Sequence, residues 1–553
     1  MCNTVSKVEN CGNKVIKLGS GTYGTVYLYN GGKYKTKIAL KKMKIDDKYI
    51  CDGYIRDVII LRSVSGKGWN NQKFYKYKSK KSQQSHPNII SLFDAFFEQD
   101  VLYMVTPYFG SCLSEYISTP NRERASVKEI IYQIISGIAY LHSFGIIHRD
   151  LTPSNILLVN GMVKIIDFSL SKRSLGELEN VNNTPKLCSL WYRAPELTLG
   201  STQYDFKVDV WSIGCILSSM VKGTVVFNLS TVEDMICRLI DTYESIDRNI
   251  YSDKELEHWN IYEKNKNKAK NNFYLFDNRF NPKTYSDYPL RDEMDYILDN
   301  EFCFDFIKRL LALNPKERIS AKAALDHPFI KDVRHKEYEK LYSFEEQLNT
   351  RLPLYNTEEN FEHISEYTIF IRSKCLYRMM EIYFDLEIHP NTYFLMTIIL
   401  NRYMLEYPEK VQNSTIYKIA LIILNITCKL NDRYNLDLSK LTSIFKLKYD
   451  EKIYYEKEKE ILTDLSFDID YSTTYDYLHL KCPPDLLNKA TEIAAYISTT
   501  QLGFVRPDKL ADYVIEQVND PNSEWMKIVY EEHSDNSGDD EEERNKFFNS
   551  DIH

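Results

Sequence analysis

The hydrophobic period of this 553-residue chain switches from that of a strand to that of a helix partway along, and nothing else in the sequence restricts the fold as strongly. Across residues 14–45 apolar side chains recur in strand fashion with glycines between them: Val15, Ile16 and Leu18, then Val26, Tyr27 and Leu28, then Ile38, Ala39 and Leu40. From Ser126 the spacing becomes helical, and Val127, Ile130, Ile131, Ile134, Ile135, Ile138 and Leu141 form one apolar face. A small β-rich lobe is therefore expected ahead of a larger, mostly helical one that continues to about Ile330. Lys331 to Glu359 is charged and poorly periodic, as a linker would be. Helical patterns return from Ile371 to Leu480, weaker ones run to about Val518, and the acidic end, residues 531–553, is expected to be disordered.

Composition narrows the class. With 43% hydrophobic and 27% charged residues the chain reads as soluble and globular, too long for one core. No stretch approaches the ~18 to 20 apolar residues that span a membrane, and Ile419 to Ile426 ends beside Lys429. The first ten residues lack a secretion pattern, so an intracellular protein without a membrane partner is expected. Eleven scattered cysteines form no C-x-x-C pair, which argues for reduced thiols and no metal cluster. A net charge of -8 makes nucleic acid an unlikely partner, despite a basic patch from Lys67 to Lys81.

Gly19-Ser20-Gly21-Thr22-Tyr23-Gly24 lies between two expected strands, where residues with little side chain let backbone N–H groups approach a polyphosphate. The same pattern marks dinucleotide sites and ordinary turns, so alone it decides nothing. Ala39-Leu40-Lys41 offers an amine one strand further on, and Asp57 on an expected helix could orient it. His148-Arg149-Asp150-Leu151-Thr152-Pro153-Ser154-Asn155, Asp167-Phe168-Ser169 and Ala194-Pro195-Glu196 follow in order. Read singly, Lys41 or Asp57 is a solvated charge, and Leu61, Leu92, His148 and Phe168 are a packed column of core residues. Read together, the order and spacing are not those of chance.

On these motifs residues 12–332 resemble the eukaryotic protein kinases. They are most similar to the cyclin-dependent kinases, through Ile38-Ala39-Leu40-Lys41-Lys42, Ser189-Leu190-Trp191-Tyr192-Arg193, Val208-Asp209-Val210-Trp211-Ser212 and the run from Arg318 to Phe329. The resemblance implies a bilobal α+β kinase fold using ATP and Mg²⁺. Lys41 would hold the α and β phosphates, Asp150 would accept the proton of the attacking hydroxyl, and Asn155 with Asp167 would bind Mg²⁺. The glycine-rich loop, Gly19 to Gly24, would cover the phosphates. Leu18, Val26, Ala39 and Leu157 would enclose adenine, with Thr106 as gatekeeper and Pro107, Tyr108 and Phe109 as hinge. Serine or threonine is the implied acceptor, and Arg193 implies proline just after it. Glu196 and Arg318 resemble a structural ion pair.

Three positions depart from that family. Asp57 stands in place of Glu, so its helix must sit roughly 1 Å closer to keep the lysine pair. Thr152 replaces a lysine beside the transferring phosphoryl group, and Ser169 replaces a glycine. The resemblance also implies switches. Thr184 matches an activating phosphosite, served by an upstream kinase, with Arg56, Arg149 and Lys172 as its cations; Thr22 and Tyr23 match inhibitory ones. The insert Ser63–Ser85 reads as a solvated loop that could instead bind an acidic partner or nucleic acid.

Beyond the linker, 333–357, apolar faces predict helices over 372–386, 392–405, 414–430, 438–447 and 451–465, an all-α bundle. Residues 358–480 resemble a cyclin box, and 481–530 could hold part of a second repeat. The resemblance implies that Lys429 and Glu458 grip the kinase at the Asp57 helix while Arg372 supports the first helix of the box. Asn401 stands where cyclins have Asp. About 25 linker residues could span about 80 Å when extended, so activation by the chain's own cyclin-like part is expected, with a second copy in trans as competitor. The rival expectation is a catalytically weak kinase-fold scaffold that holds partners through its helical part.

Overall fold

Alternation over residues 14–45 becomes three strands of a five-stranded antiparallel sheet. β1 (Asn13–Gly21), β2 (Gly24–Asn30), β3 (Ile38–Lys44), β4 (Asp94–Glu98) and β5 (Val101–Pro107) pair in the order β1-β2-β3-β5-β4. The computed structural model describes residues 7–21, 24–44, 50–65, 86–118, 127–174, 189–202, 204–223, 225–243, 301–333, 346, 348–349, 351–352, 366–412, 414–431, 436–445, 447–448, 450–500, 503, 505–520 and 523–525. Residues facing each other across antiparallel strands share a face. Tyr29 opposite Ile38 and Leu40 opposite Val105 therefore join Cys11, Phe96 and Tyr103 in one core. Val26 opposite Lys41, and Ala39 opposite Thr106, share the other face. The edge strand β1 differs from expectation: Val15 and Ile16 are more than half exposed, so its apolar residues mark pairing rather than burial.

α1 (Asp52–Val64) is buried on nearly every side, Arg56 and Asp57 included, which is why its sequence lacks a clean amphipathic stripe. After α2 (Leu113–Ser118), α3 (Val127–Ser143) carries the expected apolar face into the helical lobe. Short strands β6 (Ser111–Cys112), β7 (Ile146–Ile147), β8 (Ile156–Val159), β9 (Met162–Ile165) and β10 (Lys172–Arg173) follow; β8 pairs with β6 and β9, and β10 with β7. Next come α4 (Pro195–Thr198), α5 (Lys207–Lys222), α6 (Val232–Tyr243), α7 (Glu301–Leu310) and α8 (Ala321–Ala324). Buried Arg318 forks onto Glu196 at 2.8 and 3.0 Å and also bonds three backbone carbonyls, the structural pair expected.

Two compact units divide the chain: Met1–Leu354 with Tyr417–Asp470, and Tyr355–Ile416 with Tyr471–His553. The helices expected as one domain over 358–480 are thus shared between the units. The first holds α11 (Ile416–Asn431, from Tyr417 onward), α12 (Leu438–Ile444) and α13 (Glu451–Asp464). The second holds α9 (Glu366–Asp385), α10 (Pro390–Glu406), α14 (Thr474–Lys481), α15 (Leu487–Thr499) and α16 (Pro507–Asn519). Pro390 opens α10 where an N–H would go unsatisfied, and Thr473 with Asp476 caps α14 reciprocally. Inside the second unit, fully buried Arg372 donates to Asn401 Oδ1 at 2.6 Å and to the Thr500 and Ser498 carbonyls at 2.9 and 3.0 Å. Gly503 closes this corner: a Cβ there would lie 2.0 Å from the Ser498 oxygen. Among the described residues no helix is long and apolar enough to cross a membrane.

Candidate active site

Lys41 projects from the middle of β3, the central strand, which fixes its position through hydrogen bonds on both sides. Its Nζ lies 2.5 Å from Asp57 Oδ2 and 3.5 Å from Asp167 Oδ1. Asp57 Oδ1 accepts the Phe168 N–H at 2.9 Å, so one short carboxylate ties β3, α1 and the Asp167 turn together. Despite the missing methylene the pair is tight, not loose. Burial disfavours the Lys41 charge, but the carboxylates of Asp57 and Asp167 outweigh it and hold its pKa above the ordinary value.

Asp150 follows Arg149, whose φ of +65° is a strained conformation for a side chain of that size. Asp209 at the start of α5 holds this loop in shape. Its carboxylate accepts the His148 and Arg149 N–H groups at 2.8 and 2.9 Å and meets His142 Nε2 at 2.9 Å. Sequence reasoning missed His142, whose only signal is its position on the last turn of α3. Asn155 Nδ2 donates to the Asp150 carbonyl and to Asp150 Oδ2, both at 2.9 Å. The Ser189 N–H approaches Asp150 Oδ1 at 3.3 Å. Burial raises the Asp150 pKa despite His148 and the Ser189 N–H, which makes this carboxylate a better proton acceptor.

Asp167 also has a positive φ, +64°. Ser169 adds a bond that glycine could not: its Oγ donates to Asp167 Oδ1 at 2.7 Å, beside its own N–H at 3.2 Å. Burial pushes the Asp167 pKa up, but the Lys41 charge and these Ser169 bonds prevail and hold it low. Thr152 is buried and takes part through its carbonyl, which accepts the Asn155 N–H. His148 and Phe168 meet with ring centres 5.3 Å apart and planes tilted by 54°, and both are buried, as are Leu61 and Leu92.

Val26, Ala39, Thr106 and Leu157 are partly buried, and Leu18 on β1 is 38% exposed. The Tyr108 N–H bonds the Lys37 carbonyl, and Phe109 lies under Lys164. Gly24 needs its φ of +130°, and a Cβ there would lie 2.5 Å from the Lys42 oxygen. Gly19 and Gly21 face open space, the clearance a phosphate chain would need, and Ser20 Oγ meets Thr25 at 3.2 Å. Thr22, Tyr23, Thr184, the 66–85 part of the insert, most of the 333–357 connection and the tail lie outside the described residues. Of the cations paired with Thr184 in sequence, Arg56 bonds the Ser169 carbonyl, Arg149 bonds the Leu170 carbonyl and Tyr204, and Lys172 sits buried in β10.

Within the first unit, residues 417–470 meet the kinase portion directly. Lys429 and Glu458 pair with each other at 2.8 and 3.0 Å, both buried, and it is the Lys429 carbonyl that accepts from Arg56 on α1 at 3.2 Å. A backbone oxygen thus takes part in the contact with α1, beside the side-chain pair that the sequence singled out. Lys459 reaches Asp100 in the β4–β5 turn at 2.8 Å, and the Phe97 and Phe467 rings stack 5.6 Å apart. Arg372 belongs to the second unit, where its partners support α9.

Comparison with known proteins gives two family matches: the protein kinase domain over residues 13–330 and the cyclin N-terminal domain over 343–470. A probable CTD kinase subunit alpha homolog of Encephalitozoon cuniculi is 34% identical over 250 residues, 45% of this chain and 68% of that protein. A cell division control protein 2 homolog 3 of Trypanosoma brucei brucei is 31% identical over 326 residues, 58% of this chain and 92% of the relative.

Proposed function

Because the chain belongs to the protein kinases of cyclin-dependent type and carries a cyclin domain on the same polypeptide, we propose that it phosphorylates protein serine or threonine followed by proline, and that its own cyclin domain activates it. The observation carrying this reading is the joint placement of Lys41, Asp57, Asp150, Asn155 and Asp167. ATP is the phosphoryl donor, a reading supported by the open space beside Gly19 and Gly21. Asn155 and Asp167 offer the hard oxygen donors that Mg²⁺ takes alongside substrate phosphates. When bound, Mg²⁺ neutralises charge on those phosphates. Lys41, held by Asp57, positions the α and β phosphates. Asp150 accepts the proton of the acceptor hydroxyl as its oxygen attacks the γ-phosphorus and the bond to the β-phosphate oxygen breaks.

Activation in cis draws support from the contacts of residues 417–470 with α1, the helix that carries Asp57. Phosphorylation of Thr184 by an upstream kinase would add a second input, and a second copy in trans is the competing source of cyclin. Thr152, which brings no cation to the phosphoryl group, favours the rival reading of a weak scaffold. Transfer from ATP to Ser-Pro peptides by the full-length chain, beside Asp150→Ala, decides: transfer lost in the variant supports the kinase, and no transfer by either supports the scaffold.

A further inference from the structure

Asp470 ends the 417–470 segment with its side chain 4% exposed, and four parts of the first unit meet around its pair with Arg173. Arg173 of β10 donates Nε to Asp470 Oδ1 at 2.5 Å and Nη2 to Oδ2. The same guanidinium reaches the Phe144 carbonyl after α3 at 2.6 Å and Ser63 Oγ near the end of α1 at 3.2 Å. Arg351 brings Nη1 to 3.5 Å from Asp470 Oδ1. Arg351 and its neighbour Leu348 are both buried, although they lie in the connection between the kinase and helical portions. Neither Arg173, Arg351 nor Asp470 stood out in the sequence.

The placement matters because of what these elements carry. α1 bears Asp57, whose carboxylate orients Lys41 and receives the Phe168 N–H. β10 begins the stretch that leaves the Asp167 turn. A buried carboxylate between two guanidiniums is stable only while all three groups are present, since removing one partner strands a buried charge. The fused segment can hold this junction only when α1 and β10 are both in place.

We propose that Asp470 is a positioning residue for phosphoryl transfer, through which the chain's own helical segment fastens α1 to the root of the activation segment, and that Arg351 makes the connector part of this fastening. The inference rests on the reading that the cyclin domain activates the kinase. A free cyclin-type partner without a carboxylate here would leave the Arg173 charge with only the Phe144 carbonyl and Ser63 Oγ as partners, so the fastening also selects the chain's own domain over others.

The test uses full-length chains carrying Asp470→Asn, Asp470→Glu and Arg351→Ala, with kcat and KM for a Ser-Pro peptide, thermal unfolding and amide exchange of residues 52–64. Asp470→Asn should lower kcat by about tenfold with peptide KM little changed, a loss of coupling of the usual size. Asp470→Glu should restore part of that loss, and Arg351→Ala should cost a few-fold. Exchange in α1 should quicken in Asp470→Asn while α5 stays protected. Unchanged kcat and α1 exchange in a folded Asp470→Asn chain overturns the proposal. So does a kcat loss that merely tracks the fraction unfolded. If the unmodified chain is folded but transfers nothing, the kinase reading fails by itself, and the α1 exchange still decides whether Asp470 fastens the helix.

Discussion

Two lysines of the first unit, each within hydrogen-bond distance of a carboxylate, stand in contrasting electrostatic surroundings. Lys429 is gripped by both oxygens of Glu458 and is 3% exposed. Lys41 faces Asp57 and Asp167, with Asp150 hydrogen-bonded to the neighbouring Asn155, and is 12% exposed. The first pair is balanced and closed, as a structural pair should be. The second has more carboxylate than ammonium and an open side, an excess of negative charge that the proposed Mg²⁺ would offset. Excess charge next to solvent, rather than burial or short distances, separates a site that binds from a pair that only holds.

Substitutions can break that comparison. Asp150→Ala should lower kcat by about 10² to 10⁴, the usual share of a proton acceptor, with little change in thermal unfolding; peptide phosphorylation and calorimetry on one preparation read both. Glu458→Ala should act the other way round, costing about 3–5 kcal/mol of stability by stranding a buried ammonium. Lys429→Met with Glu458→Leu should recover most of that in denaturant titrations. If Glu458→Ala left stability intact, the balanced pair would not be structural.

Smaller effects sharpen the same contrast. The raised Asp150 pKa means that its basic form is lost as pH falls through a value above the usual carboxylate range of about 3.9. The acid limb of kcat against pH should therefore lie above that range. Asp470 has the opposite sign: burial pushes its pKa up, but Arg173 and Arg351 hold it low. Its stabilisation is present above the unfolded-state pKa and lost as pH falls through the folded one, so Asp470→Asn should flatten the acid limb of stability. Smallest, Asn401→Asp would give buried Arg372 a charged partner but lose the Nδ2 bond to the Gly503 carbonyl, so thermal unfolding of the second unit should shift by less than about 1 kcal/mol.

Much of this was legible because period and motif are local. Helices expected over 392–405 and 451–465 appear as Pro390–Glu406 and Glu451–Asp464, their ends set by a proline and a turn. The 372–386 helix starts earlier, at Glu366, since its first turn carries exposed Tyr367 and Phe370 and hence no inward stripe. Lys41, Asp57 and Asp167 were readable because their neighbours spell a pattern. Asp470 and Arg351 were not: a carboxylate and a guanidinium without spacing show their meaning only when distant segments meet. The shared backbone role of Lys429 was hidden for a similar reason, since any residue supplies a carbonyl.

The central claim, a kinase switched on by its own cyclin domain within one chain, is tested most directly by the specific activity of the full-length protein toward a Ser-Pro peptide across a wide dilution series, with no cyclin added. Constant specific activity down to the lowest concentration is expected, because an intramolecular partner cannot be diluted away. Specific activity that falls with dilution, or appears only when a separate cyclin is supplied, would contradict it.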